Sequence, residues 1–568
     1  MNADMGRSPT LPHRDQVFLI GAFVFTAATI YICPLFLPTP LLEPDEGLHA
    51  TISQEMVEHR EWIVPRFRDE TFPDKPILYF WAQMASLLVF GMNETGVRFP
   101  GLMFSLLGAL STGLLGGRLF GARTGFFAAL ILMTMVIPMS SAQSAAHDVA
   151  LVPWTTLTML CLWESEQAVS RGHKVRWLVG AICMIALAIL TKALIGVALV
   201  AIGFGSYLAI DRRLNWGSTG RFVTAMVGGM ILASPWYLAM EMRNPGYLYY
   251  YFIERHLLGF ATTSQQHGHE PWHYYVPIFV LGAMPWGWYI PLLLRDEWVK
   301  SRSARTPSAL VLLLCWMVAG VMFLSIAGSK LVTYALPLFP VLAILSGLAW
   351  RNRAESQLSS WAVRWFAGTV RLAAVVGVVV PFLILLGCRS LYDTQWSLTV
   401  WLTSMITAVV AVAGWLAFRR QRYDWNVGLI AAWTGCIAFL VMSGPLQVIA
   451  EEFSERSLAQ WINARGKLPE GLVMVGAKPA SVIFYLRDDL RRQLKNDQFR
   501  FTNLNQLSST EDLIDGTIVA VTKTALTRAN AEQRTIPGAA RHTVGQFVLF
   551  EHKKDSHPSI HTALIVDQ

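Results

Sequence analysis

Several short stretches of this chain set acids and bases beside stiffening prolines and long apolar runs. Glu43-Pro44-Asp45-Glu46 gathers three carboxylates at the end of an apolar segment. Carboxylates at such a boundary are costly to desolvate unless they have partners or a task. Asp45 either caps a helix over 46–59 or acts as a base or positioning group. Capping accounts for one carboxylate of the three. Phe72-Pro73-Asp74-Lys75-Pro76 presents an acid and a base between two prolines that hold them in place. Lys75 there suits a phosphate, and Asp74 suits a metal or the orientation of the lysine; a solvated surface pair is the alternative. Asp148 follows Ser141-Ala-Gln-Ser-Ala-Ala-His147 at the mouth of an apolar run. Lys192 sits in Leu190-Thr191-Lys192-Ala193, and Lys330 in Ser329-Lys330-Leu331-Val332-Thr333-Tyr334, each at a turn between apolar runs. For these, capping and snorkelling are the plain readings, and intramembrane chemistry the sharper one. The loop 241–273 mixes aromatics with Arg255, His256, His267, His269 and Glu270. An interfacial aromatic belt covers its Tyr and Trp, but not His267-x-His269 with an adjacent acid, a pattern able to ligate a divalent metal.

The elements that must position these residues are membrane helices. Of 568 residues 54% are hydrophobic and 15% charged, well below the charge density of soluble domains. The net charge of +8 is not a nucleic-acid signature here, because its placement follows the loops. About thirteen apolar segments of spanning length run from 17–38 to 427–446, the first too long for a cleaved signal. Every second loop is basic: Arg118/Arg123, Arg171/Lys174/Arg176, Arg212/Arg213/Arg221, Arg295/Lys300/Arg302/Arg305, Arg351/Arg353/Arg364/Arg371 and Arg419/Arg420/Arg422. That parity predicts a cytoplasmic N-terminus and makes Ile77–Phe90 a juxtamembrane helix, since a further span there would reverse it. All the chemistry-bearing segments then fall on the outer face, whereas independent snorkelling and capping would also put acids on the inner one. The six cysteines lie in or beside apolar runs and form no C-x-x-C pair, so they read as packing residues. The predicted division is a membrane domain over 1–449, with juxtamembrane helices in 39–96, followed by a soluble α/β domain over 450–568 with strands near 472–475, 517–521 and 546–550.

Together Glu43-Pro-Asp-Glu, Ile52-Ser-Gln-Glu-Met56, Trp62-Ile-Val-Pro65, Asp74-Lys-Pro76, Asn93-Glu-Thr-Gly-Val-Arg98, Thr191-Lys192, Phe252 to Tyr275, Pro285-Trp286 and Ser329-Lys-Leu-Val-Thr-Tyr334 resemble the bacterial 4-amino-4-deoxy-L-arabinose lipid A transferases, within the protein O-mannosyltransferase-like clan. The resemblance covers nearly all of the membrane part. It implies a helical, polytopic GT-C glycosyltransferase that takes sugar from a polyprenyl-phosphate carrier with inversion. It implies Asp45 nearest the reaction and Asp148 in substrate positioning, both catalytic. Lys75 and Lys192 would hold the carrier phosphate, Tyr334 would lie near the donor, and Glu46, Arg255 and Lys330 would complete the substrate-binding set. It places a zinc or magnesium ion, if one is used, on Asp74 with His267 or His269; no organic cofactor is implied. Two positions depart from the family pattern. Asp45-Glu46-Gly47-Leu48-His49-Ala50 stands where Asp-Glu-x-Arg-Tyr-Ala is usual, and Asp74-Lys75-Pro76 where Glu-Lys-Pro is usual.

The implied partners are a polyprenyl-phosphate-linked sugar, a lipid A or protein acceptor and membrane lipids, with no nucleic acid. The implied location is the bacterial inner membrane, with the site and the C-terminal domain periplasmic. A lipid-linked sugar transporter is the rival from another class. Transporters place ionisable groups near the midplane between repeats, and here they sit at helix ends with no repeat evident.

Overall fold

A computed structural model describes residues 12–37, 39–258, 270–301, 306–392, 398–478, 480–502, 513–531, 536 and 539–552. The chain divides into two compact units. The first comprises 1–36, 73–82 and 98–443; the second comprises 37–72, 83–97 and 444–568. The second unit thus takes in the loop after the first span along with the C-terminal residues.

The first unit is a helical membrane body. Among the described residues, nine helices are long and apolar enough to cross a bilayer, or up to eleven if each of two bent pairs is one span. The two remaining segments of the thirteen expected are helices as well, and fall outside this count of long apolar helices for two physical reasons. α9 (Leu194–Ile210) is 17 residues long. α7 (His147–Gln167) opens on His147 and Asp148 and closes on Glu164 and Glu166, so its polar ends dilute a 21-residue helix. Ile77–Phe90 falls on α3 (Leu78–Phe90), of 13 residues, too short to span unaided.

Small residues let these helices approach closely. α4 (Glu94–Phe120) and α5 (Ala122–Thr134) face each other through glycines, where a Cβ on Gly125 would lie 2.8 Å from Gly117 Cα. Without a hydrophobic drive between helices in lipid, such backbone proximity supplies the packing.

The two ends of the body differ chemically. α8 (Arg171–Lys192) runs antiparallel along α7 for 22 residues, about 33 Å at helical rise. Its Arg171 end belongs to the basic loops and its Lys192 end to the acid–base segments. The basic loops are tied together: Arg123 forks onto Asp424 at 2.8 and 2.5 Å and reaches Glu355 at 3.9 Å. Arg351 donates to Phe120 O at 2.7 Å, and Arg221 pairs with Glu166 at 2.5 Å. Loops predicted from charge parity to share one side therefore do so.

The second unit holds α2 (Asp45–Glu58), a hairpin of β1 (Arg66–Phe67) and β2 (Glu70–Thr71), and a five-stranded mixed sheet. β3 (Gly471–Val475) pairs in parallel with β4 (Phe499–Thr502) and β5 (Thr517–Thr522). β7 (Phe547–Glu551) runs antiparallel between β5 and β6 (Ala539–Val544). Period-two alternation buries both faces. Leu472 and Met474 pack with Leu458, Ile462, Val482 and Phe547, while Val473 and Val475 pack with Val519, Val521 and Leu526. The strands expected from sequence fall within a residue of those observed.

Candidate functional site

In the membrane body, α7 begins with Asp148 in its first turn, after Ala146 turns the chain out of extended backbone. α8 ends on Lys192, and the chain reverses at Ala193 with φ +50° before α9. That φ is strained for a residue with a Cβ, and the strain sits next to the ionisable group it aims. Asp148 Oδ1 accepts from Lys192 Nζ, and Oδ2 accepts from the Thr333 hydroxyl at 3.1 Å. The Lys192 ammonium lies 4.1 Å from the Tyr334 ring centroid. Three sequence-predicted residues, Asp148, Lys192 and Tyr334, thus form one constellation, with Thr333 as a fourth member. Lys192 and Asp148 are 10% and 14% exposed, which excludes both free snorkelling and a solvated cap.

A second group is built on a wide π-type helix, Tyr249–Leu258. Its extra residue per turn re-aims side chains, as π-bulges at functional sites commonly do. Asp74 Oδ1 accepts from the Tyr250 hydroxyl at 2.9 Å and pairs with Arg255 at 3.0 Å. His256 Nδ1 lies 2.6 Å from Tyr251 O and so carries the proton that is donated. The pKa of His256 is lowered, chiefly by burial, and further by the charges of Arg255, Lys75 and Lys192. Burial and the positive charges of Lys75, Lys192 and Arg255, which come from three separate segments, thus favour the neutral imidazole. Asp74 and Asp148 hold Arg255 and Lys192, and Lys75 adds positive charge to the same setting, which suits an anion.

Lys330 is placed differently. Its buried ammonium donates to Glu270 O at 3.0 Å and Ala327 O at 2.7 Å, tying the loop to the turn. The described residues do not fit a metal by themselves, since Asp74 is engaged by a guanidinium and a phenol and no group of three ligating side chains occurs among them. His267 and His269 lie outside the described residues.

In the second unit the carboxylates of 43–46 have three different environments. Glu43 Oε1 accepts the Ser481 N–H at 2.8 Å, and Glu43 Oε2 is buried with no hydrogen-bond partner. Glu455 Oε2 accepts from the Ser481 hydroxyl at 3.2 Å and from the Val482 N–H at 3.1 Å, while its Oε1 is buried without a partner. Burial raises the Glu43 pKa from 4.5 to about 7, opposed by its bonds from Ser481 and reinforced by the charges of Glu46 and Asp45. Burial, followed by the charge of Glu43, raises Glu455 as well. Glu46 is buried and closes the turn by accepting from Leu42 N–H at 2.9 Å. Asp45, by contrast, is exposed and makes no side-chain hydrogen bond or ion pair among the described residues. It is the first residue of α2, and Pro44 holds the cap position with no side-chain cap bond. Asp45 thus starts the helix and lies in its first turn, where its charge suits the helix dipole, but forms no cap bond. His49, one of the departures from the family pattern, is buried edge-on against Phe72 at 6.5 Å between ring centroids.

Thr333 and Tyr250 are site members to which residue type gives no role, and His256 figures in the sequence only as one of the loop's bases; Thr333 and His256 stand beside the predicted Tyr334 and Arg255. Glu455 and Ser481 had no local signal, because their partner Glu43 lies more than 400 residues earlier.

A helical membrane body with buried acid–base pairs at helix ends on one face, joined to a small mixed-sheet unit, is the architecture of the lipid-carrier-dependent GT-C glycosyltransferases. Residues 74–238 match the family model described as dolichyl-phosphate-mannose-protein mannosyltransferase. The chain is 30% identical over 73% of its length to the undecaprenyl phosphate-alpha-4-amino-4-deoxy-L-arabinose arabinosyl transferase of Pectobacterium carotovorum, and covers 73% of that protein. It is 29% identical to the enzyme of the same name from Pseudomonas savastanoi, over 79% of this chain and 81% of that one. The crystal structure of ArnT from Cupriavidus metallidurans bound to undecaprenyl phosphate shares the fold with a TM-score of 0.71 and 22% identity, covering 97% of this chain and 99% of that one. The chain belongs to the 4-amino-4-deoxy-L-arabinose transferase family, and it is a polyprenyl-phosphate-sugar-dependent glycosyltransferase.

Proposed function

We propose that this enzyme moves 4-amino-4-deoxy-L-arabinose from undecaprenyl phosphate to lipid A at the periplasmic face of the inner membrane, inverting the anomeric centre. The observation that supports the chemistry best is the two acid–base groups, Lys192 held on Asp148 beside Tyr334 and Arg255 held on Asp74 beside Tyr250. In the reaction an acceptor oxygen bonds to the anomeric carbon as the bond from that carbon to the carrier phosphate oxygen breaks. The donor phosphodiester becomes a phosphate monoester and gains negative charge. Preorganised cations stabilise that growing charge more in the transition state than in the ground state. Asp74 and Asp148 hold two of those cations in place, and Tyr334 covers the Lys192 ammonium.

Asp45, exposed and uncommitted, is the carboxylate assigned to the substrates. A phosphate acceptor is already anionic and needs no base, so Asp45 would then orient the sugar or the acceptor; a hydroxyl acceptor would surrender its proton to it. The periplasmic placement rests on the shared side of the basic loops, which the positive-inside rule assigns to the cytoplasm. The match of residues 74–238 to protein mannosyltransferases favours a second acceptor class, a protein hydroxyl.

Purified enzyme given donor lipid and lipid A should release undecaprenyl phosphate and add one aminopentose mass to lipid A. Asp45→Asn should lower turnover by about a hundredfold or more with an unchanged melting temperature, since the side chain makes no bond. Full turnover in that variant would remove Asp45 from the reaction. Mass gain on periplasmic protein rather than on lipid A would select the second acceptor.

A further inference from the structure

At the basic end of the membrane body, the end opposite Asp148 and Lys192, lies a cavity of about 370 Å³ walled by Arg353, Arg371, Arg419, Tyr423, Trp415 and Phe418. It is formed where the helix Phe339–Ala354 ends, where the helix Ser360–Tyr392 passes, and where the turn joins Leu398–Arg419 to Tyr423–Ser443. Its volume would hold roughly a dozen waters, room for a phosphate head group.

Three guanidiniums line it and no carboxylate does. Two arginines nearby are neutralised: Arg123 by Asp424 and Glu355, and Arg351 by Glu355 at 3.6 Å. Arg353, Arg371 and Arg419 pair with no carboxylate among the described residues. What they do contact is aromatic. Arg353 lies 4.4 Å from the Tyr423 ring centroid and 6.0 Å from that of Phe418, and Arg419 lies 5.1 Å from that of Trp415. A ring face attracts a cation but accepts no in-plane N–H bond, so these contacts leave the guanidinium donors without a protein acceptor among the described residues. For Arg353 the lack is explicit: its Nε is buried without a hydrogen-bond partner. An anion with several acceptor oxygens complements such a cluster of guanidiniums.

The surroundings say which kind. Leu372, Val375 and Val379 on one helix and Val409, Val412 and Leu416 on the next are exposed, an apolar strip that leads into the arginine cluster. An occupant matched to both parts carries an anionic phosphate head and long apolar tails. We propose that this cavity binds the head group of an anionic phospholipid from the leaflet at the basic end. Basic pockets between membrane helices on the positively charged side bind such lipids. The site is separate from the transfer chemistry and holds the ends of four helices in one arrangement.

The test uses the delipidated full-length enzyme in a neutral detergent, with bound lipid counted by native mass spectrometry and with thermal melting as a second readout. Cardiolipin or phosphatidylglycerol should bind and raise the melting temperature. Phosphatidylethanolamine and inorganic phosphate should do neither at the same concentration. Arg371→Gln with Arg419→Gln should weaken anionic-lipid binding at least tenfold, while the charge-matched control Arg171→Gln with Arg212→Gln should bind as the unchanged protein does. Both altered pairs are exposed, so folding is retained. Equal binding of phosphatidylethanolamine, saturation by inorganic phosphate alone, or undiminished binding by the Arg371/Arg419 variant would each overturn the proposal.

Discussion

At the scale of single residues, the pair Asp148–Lys192 shows how a membrane enzyme keeps charges ready without leaving them bare. Each neutralises the other in a largely buried place, Thr333 takes the second carboxylate oxygen, and Tyr334 offers its ring face to the ammonium. Removing one partner leaves an uncompensated buried charge, whereas removing both leaves none. Lys192→Met and Asp148→Asn should therefore each destabilise the protein by about 3 kcal/mol or more, and the double variant by clearly less than their sum. Transfer should be lost in all three. Thermal melting in detergent beside a donor-consumption assay would show the split; additive destabilisation would mean that the two groups do not act as a pair.

At the scale of elements, the turn before α2 is held by a carboxyl pair belonging to the same compact unit. Glu43 and Glu455 meet the same serine, Ser481, and burial raises both above the usual carboxylate range. The sign of the consequence is set by linkage. A carboxyl group whose folded pKa is raised binds its proton more tightly when folded, so its contribution is complete below pH about 4.5 and is lost as pH rises through about 7. Hydrogen exchange of the segment 41–58 should accordingly become faster between pH 5 and 8, beyond the intrinsic effect of pH on exchange. Glu455→Gln removes the like charge beside Glu43 and should flatten that dependence. An unchanged slope in the variant would show that the pair is not its source. The turn reversed by Ala193 is a second element-scale device, since its strained backbone fixes where Lys192 leaves α8.

At the scale of the whole molecule, the C-terminal residues are a structural partner of the loop after the first span. Thr51 donates to Ala480 O at 2.8 Å, Leu41 N–H donates to the Tyr485 hydroxyl at 2.8 Å, and that hydroxyl donates to Glu94 at 2.9 Å. Ending the chain at Phe453 would strip these bonds along with Glu455 and Ser481. The truncated protein should still insert as a polytopic helical protein, because its spans precede the cut, yet retain less than a tenth of the transfer activity. Activity near that of the full chain would assign the sheet a role apart from the Asp45 turn.

Apolar run length and the placement of arginines were enough to determine a polytopic membrane protein with its basic loops on one side, because the bilayer imposes both rules residue by residue. Alternation was enough for three of the five C-terminal strands, and the types of Asp45, Asp74, Lys75, Asp148, Lys192, Arg255 and Tyr334 marked where chemistry was to be sought. Only the tertiary structure decided which of these meet. It paired Asp148 with Lys192 and Asp74 with Arg255, left Asp45 uncommitted, and put Lys330 on backbone carbonyls. It also joined residues 37–72 to the sheet through Glu43, Glu455 and Ser481. The physical reason is that periodicity and charge parity are local properties of a chain. A hydrogen bond between residues hundreds of positions apart depends on how helices pack, and nothing in either neighbourhood specifies that.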